Sequence, residues 1–264
     1  MQKLLSIEWL KLKNYRTFWI LIALYAVLLP MLNYEIANSM GNFKFNGMSV
    51  FTKSYAFPEV WSNMGYLGSY FITFLAILVI IITTNEYTFK TNRQNIIDGW
   101  KRIDFLNAKV LLVLMLSLLA TIYFFILGSG FGLAYSGSAS NLFSGYDKIF
   151  YFFLLSVNYL GFAMMIAMWI KRSGLAISLF LLYAIMIEGI LQKILNWKLG
   201  NNYGDFLPLQ SSDELLPFPM MKMAAGMMGA NVQVTMPQYF VTATILWCGV
   251  YYFICRSMLL RRDW

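Results

Sequence analysis

The chain has 264 residues, of which 59% are hydrophobic, 18% aromatic and 12% charged, with a mean hydropathy of +0.62. Soluble domains average about 25% charged residues, so this complement excludes a soluble enzyme and a disordered tail and points to a polytopic membrane protein. The absence of histidine excludes Ser-His-Asp and Cys-His catalysis, His-ligated zinc and an HExxH helix, and the net charge of +8 marks a cytoplasmic membrane face rather than nucleic-acid binding.

Residues 2–16 precede the first long apolar run. They read as a basic amphipathic helix lying in the membrane interface, with Leu5, Trp9 and Leu12 on one face and Lys3 and Lys11 turned away. A plain basic flank to the first span is the alternative. A spanning helix needs about 20 mainly apolar residues, and six runs meet this, predicted at 17–34, 66–84, 110–131, 149–170, 174–192 and 239–255. No small-x-small cleavage site follows the first, so it is expected to be retained. The fold class is therefore all-α.

The connections differ in character. The stretch 85–108 is the most polar one on the inner side, and within it 94–100 is predicted to form a short helix ended by Gly99. Gly128, Gly130 and Gly132 close the third span, where tight helix packing explains them better than phosphate binding. Residues 193–237 form an outer loop too apolar to float in water and too interrupted to span; short helices dipping into the outer leaflet or packing on the bundle are expected there. Cys248 and Cys255 are seven residues apart in the last span, about 10 Å along a helix axis, beyond disulfide reach.

Basic residues set the orientation. Fourteen lie on one side, in residues 2–16, in 85–109, at Lys171 and Arg172, and at Arg256, Arg261 and Arg262; six lie on the other, at Lys44, Lys53, Lys148, Lys193, Lys198 and Lys222. Both termini are expected in the cytoplasm.

Few residues offer chemistry. No Gly-x-x-x-x-Gly-Lys-Ser/Thr loop is present, so no ATP hydrolysis is expected from the chain itself. Met220, Met221, Met223, Met227, Met228 and Met236 raise Cu(I) binding, but no Cys or His accompanies them in the loop, and packing or the lining of a substrate gate is the stronger reading. Glu188 is the one acidic residue inside a predicted span. Fourteen residues from Gly174 place it about 21 Å above the inner face, which favours a role at the outer interface over a buried proton or substrate site. Glu188, Met223 and Met227 are the candidates for an outer gate or substrate contact.

Three stretches carry a family likeness. Ile7-Glu8-Trp9-Leu10-Lys11-Leu12-Lys13-Asn14-Tyr15-Arg16-Thr17-Phe18-Trp19 leads into the first span; Glu86, Thr91, Arg93, Gly99, Arg102 and Ala108-Lys109 mark the inner loop; Arg261-Arg262-Asp263-Trp264 follows the last span. This order resembles the type-2, exporter-type permease of ATP-binding-cassette transporters, although that family often has glycine where this chain has Lys90. The resemblance implies a non-catalytic permease subunit in the plasma (cell inner) membrane, pairing with a second copy of itself or a related permease. A separate cytoplasmic ATPase would bind ATP and magnesium and power export of an amphipathic, lipid-like or peptide substrate. It also implies that 85–108 is the coupling loop, with Glu86, Arg93, Ile96, Ile97, Trp100 and Arg102 as its working residues; Ile96 and Trp100, four apart, share a helical face with Ile97 beside them. No cofactor in this chain and no nucleic-acid partner are expected. The alternative is a standalone secondary transporter or channel, which needs polar residues facing one another inside several spans. A membrane-embedded enzyme would need a clustered catalytic set.

Overall fold

A computed structural model describes residues 2–41, 44–45, 48–49, 55–97, 99, 101–136, 144–199, 202–217 and 236–261. Helix α1 (Gln2–Lys13) turns into α2 (Arg16–Gly41); after a two-residue antiparallel pairing of Lys44–Phe45 with Met48–Ser49 come α3 (Glu59–Thr88), α4 (Thr91–Ile97), α5 (Arg102–Ser136) and α6 (Asp147–Ile170). Helix α7 (Ser173–Leu182) runs through a π-helical turn (Tyr183–Ile187) into α8 (Glu188–Leu199). A 3-10 turn (Asn202–Phe206), the single-turn α9 (Gln210–Asp213) and α10 (Pro237–Arg261) complete the chain. Six of these stretches are long and apolar enough to cross a membrane: α2, α3, α5, α6, α7 through α8, and α10. The protein is an all-α, multi-pass membrane protein.

Each helix extends beyond its apolar run. The second span begins at Glu59 rather than Tyr66 because Val60, Trp61 and Met64 are fully buried even though Ser62 and Asn63 interrupt the pattern. The third begins at Arg102 rather than Val110, so the last part of the expected loop 85–108 is helix.

Helices α3 and α6 form the centre, with 67% of the apolar window of each buried, against 22% for α2, 17% for α7 through α8 and 22% for α10. The outer helices therefore leave broad faces for lipid. Trp61 of α3, Phe124 of α5 and Phe152 of α6 make the middle of the core, with the two phenylalanine rings stacked at 4.3 Å. Gly128 and Gly132 lie directly against the rings of Trp61 and Phe57, so these glycines serve close packing.

Pro30 sits inside α2. Proline has no N–H to give the carbonyl four residues back, here that of Ala26. The Tyr123 hydroxyl of α5 donates to that carbonyl instead, which turns the defect into an α2–α5 contact.

Candidate functional site

Two polar assemblies stand out, one at each end of the bundle. At the end where α1 meets the last turn of α3 and the first turns of α5, four charged side chains converge. Lys109 of α5 is 1% exposed, Glu8 of α1 2% and Glu86 of α3 4%. The Lys109 Nζ donates to Glu8 Oε2 at 2.8 Å and, more tightly, to Glu86 Oε1. Lys11 closes the set, 3.1 Å from Glu86 Oε1 and 3.7 Å from Glu8 Oε1, with a third of its side chain in solvent. Two cations and two anions leave the cluster neutral, the condition under which buried charge is tolerated. It ties α1 to both helices that bracket α4. The basic interfacial helix thus differs from the sequence expectation: Lys11 turns inward to the carboxylates, Leu12 is buried and Trp9 is exposed.

Helix α4 lies next to this junction, between α3 and α5, with Asn92 buried. The structure shifts the expected helix from 94–100 to Thr91–Ile97, because the chain reverses at Lys90, which adopts φ +56°, and again at Gly99, with φ +93°. Both values lie in the left-handed region. Of the expected coupling residues, Glu86 is sealed inside the ionic cluster rather than presented outward, and Arg102 donates to the Leu259 carbonyl of α10 at 3.3 Å. Ile97 is 78% exposed, and Phe89, which the sequence pattern did not single out, is 71% exposed. Arg93 and Ile96 lie on α4, but their side chains, like all of Asp98 and Trp100, lie outside the described residues. Asp104 accepts from the Lys101 N–H at 3.0 Å, a capping contact at the start of α5.

At the opposite end, residues 202–217 fold down against α6, α8 and α10. Glu188 is 2% exposed. It does not reach out to headgroups: its Oε1 accepts the N–H groups of Leu209 at 2.6 Å and Gln210 at 3.0 Å. The π-turn just before it adds one residue to the local helical turn, a device that re-aims side chains and recurs at functional sites. Asp213 accepts from the Tyr159 hydroxyl through both oxygens, at 3.0 and 2.9 Å. Asn158 of α6 donates to the Pro208 carbonyl at 2.7 Å and to Ser212 Oγ at 2.9 Å. The 3-10 turn is held on α8 by Gln192 and Asn196, both donating to Asp205. Burial, with the negative charges of Glu188 and Glu214 adding to it, pushes the Asp213 carboxyl up to about 8, against the opposing pull of the Tyr159 hydrogen bond.

Met223 and Met227 lie outside the described residues. Among the described residues no group of three or more His, Cys, Asp or Glu side chains is placed to hold a metal ion. Cys248 and Cys255 are both free, and Cys255 is buried. The sequence reading missed Glu8, Lys11 and Lys109 as a set, and Asp213 altogether. Glu8 and Lys11 look like solvated charges of a basic segment, and Asp213 lies outside every apolar run. The sequence signals for Lys109 are its place at the head of a run of Val and Leu and its part in the Ala108-Lys109 pair of the family likeness.

A family model described as "Protein of unknown function (DUF2705)" matches residues 19–264. No curated protein matches the chain.

Proposed function

The chain belongs to the DUF2705 family, and we propose that it is the membrane-spanning permease subunit of an ATP-driven exporter, working with a separate cytoplasmic ATPase and a second permease copy in the plasma membrane. The observation that carries this reading is the inner junction. A short helix, α4, lies between α3 and α5 with an exposed apolar residue at its end, Ile97, and another, Phe89, two residues before its start. Beneath it, the buried ionic cluster joins α1, α3 and α5. A helix carried on such a mount can transmit force from a docked protein to three helices together instead of bending locally. Lys90 supports the same reading. The resembling family's frequent glycine falls on the one residue of this corner that takes a left-handed conformation, which glycine adopts without strain.

The cargo in this reading is amphipathic, lipid-like or peptidic, since the peripheral helices present aromatic and aliphatic faces rather than a polar pore. Cross-linking tests the docking. Cysteine in place of Ile97 should cross-link, in native membranes, to a polypeptide carrying a phosphate-binding loop, whereas cysteine in place of Leu182, on the lipid-facing side of α7, should not. Equal cross-linking from both positions, or from neither, contradicts the assignment.

A standalone, ion-coupled transporter is the second reading, favoured by one observation: two acidic side chains, Glu188 and Asp213, sit together at the outer assembly with no Lys or Arg among the described residues paired to either. It requires transport without any ATPase.

A further inference from the structure

The outer assembly is short of hydrogen-bond donors. Glu188 uses the backbone N–H groups of Leu209 and Gln210, and Asp213 uses the single hydroxyl of Tyr159. The hydroxyls of Ser211 and Ser212 are taken up by the backbone carbonyls of Pro208 and Leu209. Asn158, with 0% of its surface exposed, spends its amide on Pro208 and Ser212 and leaves its Oδ1 buried with no donor among the described residues. On the α10 side, the Tyr251 hydroxyl is also buried without a partner among the described residues, within electrostatic range of Glu188. Among the described residues, a buried carboxylate (Glu188), a partly buried one (Asp213) and an unpaired amide oxygen, with no cation beside them, make an acceptor-rich cluster that one added proton would relieve.

We propose that Asp213, together with Glu188 and Tyr159, is a proton-binding site, and that the bound proton clamps residues 202–217 onto the bundle. The groups facing Asp213 allow this. Tyr159 of α6 and Tyr70 of α3 are neutral hydroxyls near it, Glu188 of α8 is negative, and Glu214 on its own segment adds a second negative charge. Tyr183 and Tyr251 flank Glu188. None of these supplies a positive charge, so a proton is the neutralising species at hand. Two N–H groups already point at one Glu188 oxygen, whereas Asp213 has a single hydroxyl.

The sign follows from linkage. Asp213 holds its proton more tightly in the folded segment, up to about 8, than in an opened one, where an aspartate titrates near ~4. Between those limits the closed form binds one more proton than the open form. Opening of 202–217 therefore becomes easier by up to about tenfold per pH unit as pH rises, and levels off above about 8.

Two measurements on the full chain in lipid nanodiscs test this. In infrared spectra, a protonated-carboxyl band should be present at neutral pH, titrate away near pH 8, and be lost in Asp213→Asn. Tyr159→Phe removes a hydrogen bond to the ionised form and should move the midpoint up; Glu188→Gln removes a neighbouring charge and should move it down, each by about one pH unit, a tenfold change in proton affinity. Hydrogen exchange of 202–217, normalised to intrinsic rates, should lose protection with rising pH in the wild type and stay flat in Asp213→Asn. The proposal is overturned by absence of the band at neutral pH, by a band indifferent to Asp213→Asn, by midpoints of the two other variants that move together, or by a midpoint that depends on sodium concentration, which would mean a metal cation is the occupant. Should Asp213→Asn fail to fold, the opposed shifts of Tyr159→Phe and Glu188→Gln decide the matter.

Discussion

Lys109→Met removes one charge from the buried cluster while keeping most of the aliphatic stem. In the wild type Lys109 Nζ faces Glu8 Oε2 at 2.8 Å and also Glu86 Oε1. Without it, two carboxylates that are 2% and 4% exposed face each other with only Lys11 between them, and Lys11 is 32% exposed, so its pairing is partly screened by water. Breaking a buried pair by deleting one partner costs about 3–5 kcal/mol, because the remaining charge stays desolvated. We expect a loss in that range, measured by reversible unfolding in mixed micelles or by steric trapping in bicelles. The triple change Lys109→Met, Glu8→Gln, Glu86→Gln removes all three buried charges and should recover most of the loss, since neutral replacement of a whole buried cluster is often tolerated. Lys11→Met should cost no more than about 1 kcal/mol. A Lys109→Met protein within about 0.5 kcal/mol of the wild type, or a triple variant less stable than the single one, would refute the view that Lys109 is held there to neutralise Glu8 and Glu86.

Other outcomes follow from particular residues. Lys90→Gly should stabilise the α3–α4 corner by about 0.5–1 kcal/mol, the strain of a left-handed lysine less the added freedom of glycine in the unfolded chain, read as a rise in thermal midpoint. Gly204→Ala should destabilise by about 1–3 kcal/mol, because a Cβ there would sit 2.7 Å from the Gln192 Cα and press on the Gln192 carbonyl; Gly249→Ala, with nothing within 4 Å, should be neutral or mildly stabilising. The excess of basic residues on one side leads us to expect that, in intact cells, an impermeant thiol reagent modifies cysteine at Asn202 and spares cysteine at Gln2. The reverse pattern would invert the topology.

The spans were legible because a lipid-crossing helix announces itself by length and hydropathy alone. Their ends were not. Glu59, Ser62 and Asn63 read as loop, yet they lie on α3, where burial of Val60 and the packing of Trp61 on Phe124 of α5 outweigh a polar pattern. A short helix between the second and third spans was legible, but not its bounds: it was expected to end at Gly99, and it ends two residues earlier, at Ile97. The ionic junction could not be read from spacing, because Lys109 is 101 residues from Glu8 and 23 from Glu86. At the end of the bundle away from α1, Glu188 was visible as an anomaly within a span. Its partners were hidden, since the N–H groups of Leu209 and Gln210 come from backbone and no sequence pattern marks a segment that folds back between helices.

The central claim is that this chain is the permease half of an ATP-driven machine, and co-purification tests it most directly. The tagged full chain, solubilised gently from its native membrane, should bring down in near-equal amount a soluble subunit carrying a Gly-x-x-x-x-Gly-Lys-Ser/Thr loop. The pair should hydrolyse ATP that the isolated chain does not, and Ile97→Asp should reduce the association while membrane insertion persists. Transport activity by the chain alone in sealed vesicles, with no ATPase present and no such subunit recovered from native membranes, would contradict it.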